Sequence, residues 1–121
     1  MTKLSSKLEV TQELIDRYGI ANGDREMMHY DEFYARSRGF RGTVAHGTML
    51  LAPVVDLAML RYGEAFLTCG VLSVRWTAPI CAGDVQVAMI DATGSIEAVN
   101  TSLLDRPVTL HGSAKCEGEV Q

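Results

Sequence analysis

Cysteine, proline and tryptophan are all scarce in this chain: three, three and one among 121 residues. Cys69, Cys81 and Cys116 are too few and too scattered for a disulfide framework, and no CxxC pair occurs. That argues against a structural zinc site. The expected state is reduced thiols in a cytoplasm. A surplus of positive charge is missing too: eleven Lys and Arg stand against fifteen Asp and Glu, a net charge of −4. Such a chain cannot neutralise many phosphates, which argues against bulk nucleic-acid binding. Long apolar runs are also lacking. The longest, Met49 to Leu60, covers twelve positions and contains Pro53 and Asp56. That is too short to span a bilayer. Met1-Thr2-Lys3-Leu4-Ser5-Ser6-Lys7 holds no apolar stretch of signal-peptide length. The expectation is a soluble cytoplasmic protein with neither a nucleic-acid nor a membrane partner.

What is present is an ordinary globular balance, 47% hydrophobic and 21% charged residues. The length predicts one domain over 1–121 with a core of its own. Thr11 is a good N-cap, with Glu13 in the first turn, and Leu14, Ile15 and Tyr18 share one face. This predicts a short amphipathic helix over about 11–18. Residues 19–28 read as loop, with Asn22-Gly23 as a turn. Asp31 caps a second short helix over about 32–38, which Gly39 ends. From Thr48 to Tyr62 nearly every side chain is apolar, which predicts a buried helix kinked at Pro53 and stopped by Gly63. Alternation then takes over. Strands are expected over 71–76, 85–90, about 96–103 and 108–115, separated by Ala82-Gly83-Asp84, Thr93-Gly94-Ser95 and Asp105-Arg106-Pro107. Helices followed by an antiparallel meander give an α+β architecture, with the sheet wrapped around a long helix.

Few residues can carry chemistry. His29 lies five positions after Asp24, on the stretch read as loop. A carboxylate and an imidazole that meet on one water can move protons on and off a small substrate. The plainer reading is an Asp bonding backbone amides beside a solvated His. His46-Gly47 stands directly before the apolar helix. Free N–H groups there would stabilise an oxyanion on a carbonyl, and Gly47 allows close approach. Asp56 is the lone acid of the apolar helix, either meeting Arg75, Arg61 or solvent at an interface or serving as a catalytic acid. Arg36, Arg38 and Arg41 form a basic cluster, either a solvated face or a phosphate contact. Asp24, His29 and Asp31 match no metal signature, so no metal is expected.

In order, three blocks resemble the MaoC-like dehydratases, also called (R)-specific enoyl-CoA hydratases. The family loop runs aromatic-x-x-x-small-Gly-Asp-x-Asn-Pro-aliphatic-His. Here Tyr18-Gly19-Ile20-Ala21-Asn22-Gly23-Asp24-Arg25-Glu26-Met27-Met28-His29 keeps Gly23, Asp24 and His29 in place. Gly39-Phe40 through Ala45-His46-Gly47-Thr48-Met49 is similar to the family's Gly-Phe…Ile-Ala-His-Gly-Met segment. Val74-Arg75-Trp76 through Gly83-Asp84 is similar to its Arg-Phe-x-x-Pro-Val-x-x-Gly-Asp strand and turn. Three departures stand out: Glu26-Met27 replaces Asn-Pro, Trp76 replaces Phe, and the late Asn-Gln…Gly pattern survives only at Asn100.

The resemblance implies a single hot-dog domain and a dimer, either a homodimer or a heterodimer with a related subunit. It implies reversible addition of water to a trans-2-enoyl thioester, giving an (R)-3-hydroxyacyl thioester. Asp24 and His29 would be catalytic, and Gly47 with His46 and Gly23 would form the oxyanion and substrate-binding group. No cofactor is implied beyond the CoA or acyl-carrier thioester that bears the substrate, and the departures point to an atypical acyl chain. Two other readings are a hot-dog thioesterase using Asp56 and a non-catalytic hydratase-like subunit. Retention of both Asp24 and His29 favours the hydratase.

Overall fold

The computed structural model describes residues 3–117. A first strand, β1 (Leu4–Glu9), leads into helix α1 (Gln12–Asn22). A 3-10 turn (Met27–His29) and helix α2 (Glu32–Ser37) follow. A second 3-10 turn (Thr48–Leu51) opens helix α3 (Ala52–Tyr62), and the one-turn helix α4 (Phe66–Cys69) closes the helical half. Strands β2 (Gly70–Trp76), β3 (Val85–Ile90), β4 (Ser95–Asn100) and β5 (Val108–Cys116) complete one antiparallel sheet, ordered β1-β3-β4-β5-β2. This is the α+β hot-dog architecture, with the sheet curving around α3.

Local chemistry explains the helix ends. Thr11 Oγ1 accepts from Leu14 N–H at 3.1 Å, as an N-cap should. Helix α1 then continues past residue 18 to Asn22 and stops at Gly23, whose φ of +76° favours glycine. The stretch read as loop from 19 is therefore helical for its first turn. Asp31 caps α2 as expected, accepting from Tyr34 N–H at 3.1 Å.

The long kinked helix is corrected. Residues 48–51 form a 3-10 turn, and only 52–62 are α-helical. Pro53 sits in the first turn of α3, where its missing N–H breaks no helical bond, so it starts the helix instead of bending it. Nor is α3 buried all round. Pro53, Val54, Leu57 and Ala58 face the sheet, whereas Ala52, Asp56 and Leu60 face outward.

Helix α3 packs across β1, β3 and β5. The inner rows pair Ile90 with Ile96 and Ala88 with Ala98, all buried. Leu57 is fully buried in this core, and truncating such a leucine to alanine costs about 2–5 kcal/mol. At the end nearest the start of α3 the same face turns polar, with Gln86 opposite Asn100 and Thr109 close by, all fully buried. Thr109 Oγ1–H donates to Gln86 Oε1 at 2.9 Å, and Gln86 Nε2–H donates to Leu50 O at 3.2 Å. The polar end of the sheet thus braces the 3-10 turn that begins at Thr48.

The expectation of three reduced thiols is also corrected. Pairing of β2 with β5 sets Gly70 opposite Cys116, which brings Cys69 and Cys116 to a Cα–Cα distance of 4.8 Å and joins them in a disulfide. Their 47-residue separation hides this contact in the sequence. Cys81 is free and buried. Among the described residues, no helix is long and apolar enough to cross a membrane.

Candidate active site

The left-handed turn at Gly23 swings the chain off the axis of α1 and delivers Asp24. Nothing lies within 4 Å of where a Gly23 Cβ would be, so this glycine serves backbone geometry alone. Asn22 Oδ1 accepts from Asp24 N–H, and Asp24 Oδ1 accepts from Glu26 N–H, both at 2.9 Å. The loop is therefore shaped by Asp24 itself, where the family pattern has Asn-Pro. Glu26 contributes its backbone, and its side chain is exposed. From the other side, the Tyr30 hydroxyl donates to Asp24 O. Tyr30 packs so tightly on α1 that a Cβ at Gly19 would lie 1.9 Å from its hydroxyl.

His29, on the first 3-10 turn, is 7% exposed. Its Nδ1–H donates to Val44 O at 2.6 Å, which turns Nε2 toward Asp24 Oδ2 at 3.4 Å. Gln12 Nε2–H donates to His29 O at 2.9 Å, and Gln12 Oε1 accepts from the Thr43 hydroxyl. Val44 N–H donates to Met28 O, and Ala45 N–H to Ile80 O. The 43–46 segment is thereby stitched to both the His29 turn and the sheet.

His46, which the resemblance sets in the oxyanion and substrate-binding group, faces Asp24 instead. His46 Nδ1 lies 3.3 Å from the same Asp24 Oδ2, and its ring stacks on His29 with centroids 3.9 Å apart. His46 is 2% exposed, and its Nε2–H donates to Ile15 O at 3.0 Å. The Glu26 N–H holds the Asp24 carboxyl below the usual carboxylate range; burial opposes this, and the two imidazoles reinforce it. Tyr30 is pushed up by burial and by the Asp24 charge. Asp24 thus carries its charge beside two imidazoles, an arrangement able to take up and return protons.

Gly47 follows directly and begins the second 3-10 turn with φ −57°. An added Cβ would press on the Trp76 indole at 3.4 Å, and Trp76 Nε1–H donates to Gly47 O at 2.9 Å. Among the described residues no protein acceptor takes the Gly47 N–H. Tyr18 hydrogen-bonds Thr48 at 2.6 Å and lies 5.1 Å from the His46 ring. Tyr18, Tyr30, Gln12 and Thr43 escaped the sequence reading as site residues. Tyr18 alone carried signals: it shares the α1 face of Ile15 and stands at the aromatic position that opens the family's loop block.

A groove of about 710 Å³ runs between α1 and α3, walled by Leu8, Leu14, Leu51 and Val55 and reached by Tyr18 and Thr48. A smaller cavity of about 500 Å³ opens on the other side of the loop at Gly19, Asp24 and Tyr30.

Asp56 is exposed on α3 along the groove, with Arg17 also in its wall. Of the partners the sequence left open it meets solvent, and among the described residues it forms no ion pair with Arg61 or Arg75. Arg61 donates to Ala92 O instead. The arginine cluster disperses: Arg36 pairs with Glu32 at 2.9 Å, and Arg38 lies over the Tyr34 ring. Arg41 forks onto Asp84 at 2.5 and 3.4 Å. Asp31 stays at its cap and outside the cluster.

Asp24, His29 and His46 place one ligand atom each within 4.8 Å. Asp24 Oδ2 lies 3.4 and 3.3 Å from the two imidazole nitrogens, near the edge of a tetrahedral zinc shell, about 3.3 Å. The rings, however, are stacked with planes only 27° apart. On distance alone the three groups could hold an ion.

A family model described as "MaoC like domain" matches residues 2–111. The chain is 29% identical over 118 residues to 3-hydroxyacyl-thioester dehydratase Z of Mycobacterium tuberculosis, covering 92% of this chain and 78% of that one. Among solved structures it resembles the (R)-hydratase from A. caviae involved in PHA biosynthesis, with a TM-score of 0.67 at 16% identity over 93% of this chain and 92% of the other. It also resembles the ChsH1-ChsH2 complex from Mycobacterium tuberculosis, with a TM-score of 0.64 at 17% identity over 96% of each chain. At these identities the two structures establish a shared fold.

Proposed function

The chain belongs to the MaoC-like domain family, and from that premise we propose that it interconverts trans-2-enoyl and (R)-3-hydroxyacyl thioesters by adding or removing water. The observation that carries this reading is the convergence of Asp24 and His29 at 3.4 Å, with the carboxylate held charged. A water between them loses a proton to the pair as its oxygen bonds Cβ of the enoyl chain. The proton returned from the pair goes to Cα on the same face, so the net change is one H and one OH added. Negative charge passes through the thioester oxygen on the way, and the Gly47 N–H is the donor for it. The thioester acidifies Cα, so no cofactor takes part. The relative from Mycobacterium tuberculosis, a 3-hydroxyacyl-thioester dehydratase, supports this class of reaction.

The substrate is a small acyl thioester on CoA or on an acyl carrier, and the groove between α1 and α3 suits its apolar chain. The working protein is a dimer in the cytoplasm, either a homodimer or, by analogy with the ChsH1-ChsH2 complex, an assembly with a related subunit.

The test is loss of enoyl-thioester absorbance with a panel of trans-2-enoyl-CoA substrates, wild type beside Asp24→Asn. Turnover by the wild type alone supports the reading. Equal turnover by both proteins overturns it, and release of free thiol instead would mark a thioesterase.

A further inference from the structure

His46 lies in the core, yet it touches the carboxylate at the centre of the site. Its ring is held from several directions. Nε2–H donates to Ile15 O at 3.0 Å, in the first turn of α1. One face stacks on His29 at 3.9 Å, and Tyr18 and Tyr30 stand at 5.1 and 6.0 Å. A ring so confined has one orientation, and that orientation presents Nδ1 to Asp24 Oδ2 at 3.3 Å, a hydrogen bond when Nδ1 carries a proton beside the Nε2–H.

Asp24 is placed quite differently. Its side chain is 31% exposed and stands on a loop. Oδ1 is fixed by Glu26 N–H, but among the described residues only the two imidazoles address Oδ2. Under the hydration reading His29 exchanges protons with substrate, so it is not a constant anchor. His46 is too buried to reach substrate, and its second nitrogen is already committed to α1.

We propose that His46 is a positioning residue that acts through Asp24, aiming Oδ2 at the reacting water while backing the His29 ring. The kinetic part of this rests on the hydration reading; the contact itself does not.

Two substitutions separate the two bonds of the ring. The amide nitrogen of His46→Asn falls near the place of Nδ1 and can keep the bond to Asp24. That of His46→Gln reaches the place of Nε2 and can keep the bond to Ile15 O. With both variants confirmed as folded by melting, His46→Gln should lose about 10²-fold in kcat, the scale of a misaimed catalytic group. Its KM should stay within about twofold, since the lost interaction belongs to the transition state. His46→Asn should recover most of that loss. The reverse order, Gln active and Asn impaired, would make the ring a brace for α1 and overturn the proposal. Full activity in both variants would overturn it as well.

A second measurement needs no turnover. Urea midpoints of wild type, His46→Gln, Asp24→Asn and the double variant form a cycle. Asp24→Asn should shift the midpoint less when His46 is already replaced. Strictly additive shifts would overturn the contact whatever the activity. A coupled cycle beside a wild type inactive on every enoyl thioester would support the contact and count against the hydration reading.

Discussion

Gly-Asp occurs twice in this chain at a left-handed glycine, and the two aspartates end in opposite situations. Gly23 and Gly83 have φ of +76° and +96°. Asp84 is buried, with the Arg41 fork, Cys81 N–H and the Asn100 amide all donating to it. Burial pushes its carboxyl up, but those donors outweigh burial and hold it below the usual range. Asp24 receives one backbone N–H and faces two imidazoles from a partly open position. A carboxylate whose lone pairs are filled by fixed donors is a structural anchor. One left facing groups that can exchange protons is available for chemistry. The dipeptide is the same, and the partners decide.

This contrast breaks most visibly at Asp24. Asp24→Asn keeps the loop shape and removes the charge, so turnover should fall by about 10²–10⁴-fold, the usual contribution of a positioned acid or base. The melting temperature should move little, and a matched loss of both would make Asp24 structural after all.

Asp84→Ala should do the opposite. It leaves the Asn100 amide and the Cys81 N–H unsatisfied in the core. The guanidinium of Arg41 is half exposed and can turn to water, so the expected cost is about 2 kcal/mol, below that of a fully buried pair. Urea unfolding measures it, and residual activity per folded molecule should stay near wild type.

Acid sharpens the same difference. Because Asp84 has a lowered folded-state value, its stabilisation is present above the unfolded value of about 3.9 and is lost as pH falls through the folded one. Wild type should therefore lose stability below about pH 4 more steeply than Asp84→Asn, which lacks that contribution. Parallel urea midpoints down the pH series would contradict it.

The smallest effect lies at Gly19. Helix propensity alone predicts that Gly19→Ala gains about 1 kcal/mol. The added Cβ would instead strike the Tyr30 hydroxyl at 1.9 Å, so we expect a net loss of about 1 kcal/mol. Part of it should be recovered in a Tyr30→Phe background.

Much of this was legible in the chain. Asp31 as a cap, the strand over 85–90, the turn at Gly23 and the glycine stop at 63 follow from local rules. Strand β1 escaped because Leu4-Ser5-Ser6-Lys7-Leu8-Glu9 is an edge strand of weak alternation that depends on pairing with β3. The length of α3 was overread because Thr48–Leu51 is as apolar as the helix behind it, and periodicity does not separate a 3-10 turn from an α-helical one. Asp56 has apolar neighbours in sequence, and only its place on the outward stripe with Ala52 and Leu60 selects solvent over an arginine as its partner. The arginine cluster was close in sequence only, and its members point to three different partners.

By itself the sequence determined where the first two helices begin and where the strands turn, and it placed Asp24 and His29 on one short stretch. Caps, glycine conformations and alternation act over a few residues, so they can be read from neighbours alone. Only the tertiary structure decided that His46 meets the Asp24 carboxylate, that Asp84 is sealed by Arg41, and that Cys69 meets Cys116. Each of those contacts joins residues seventeen or more positions apart. They meet because strand register and the packing of α1 against the 43–46 segment bring them together, and neither leaves a local mark on the chain.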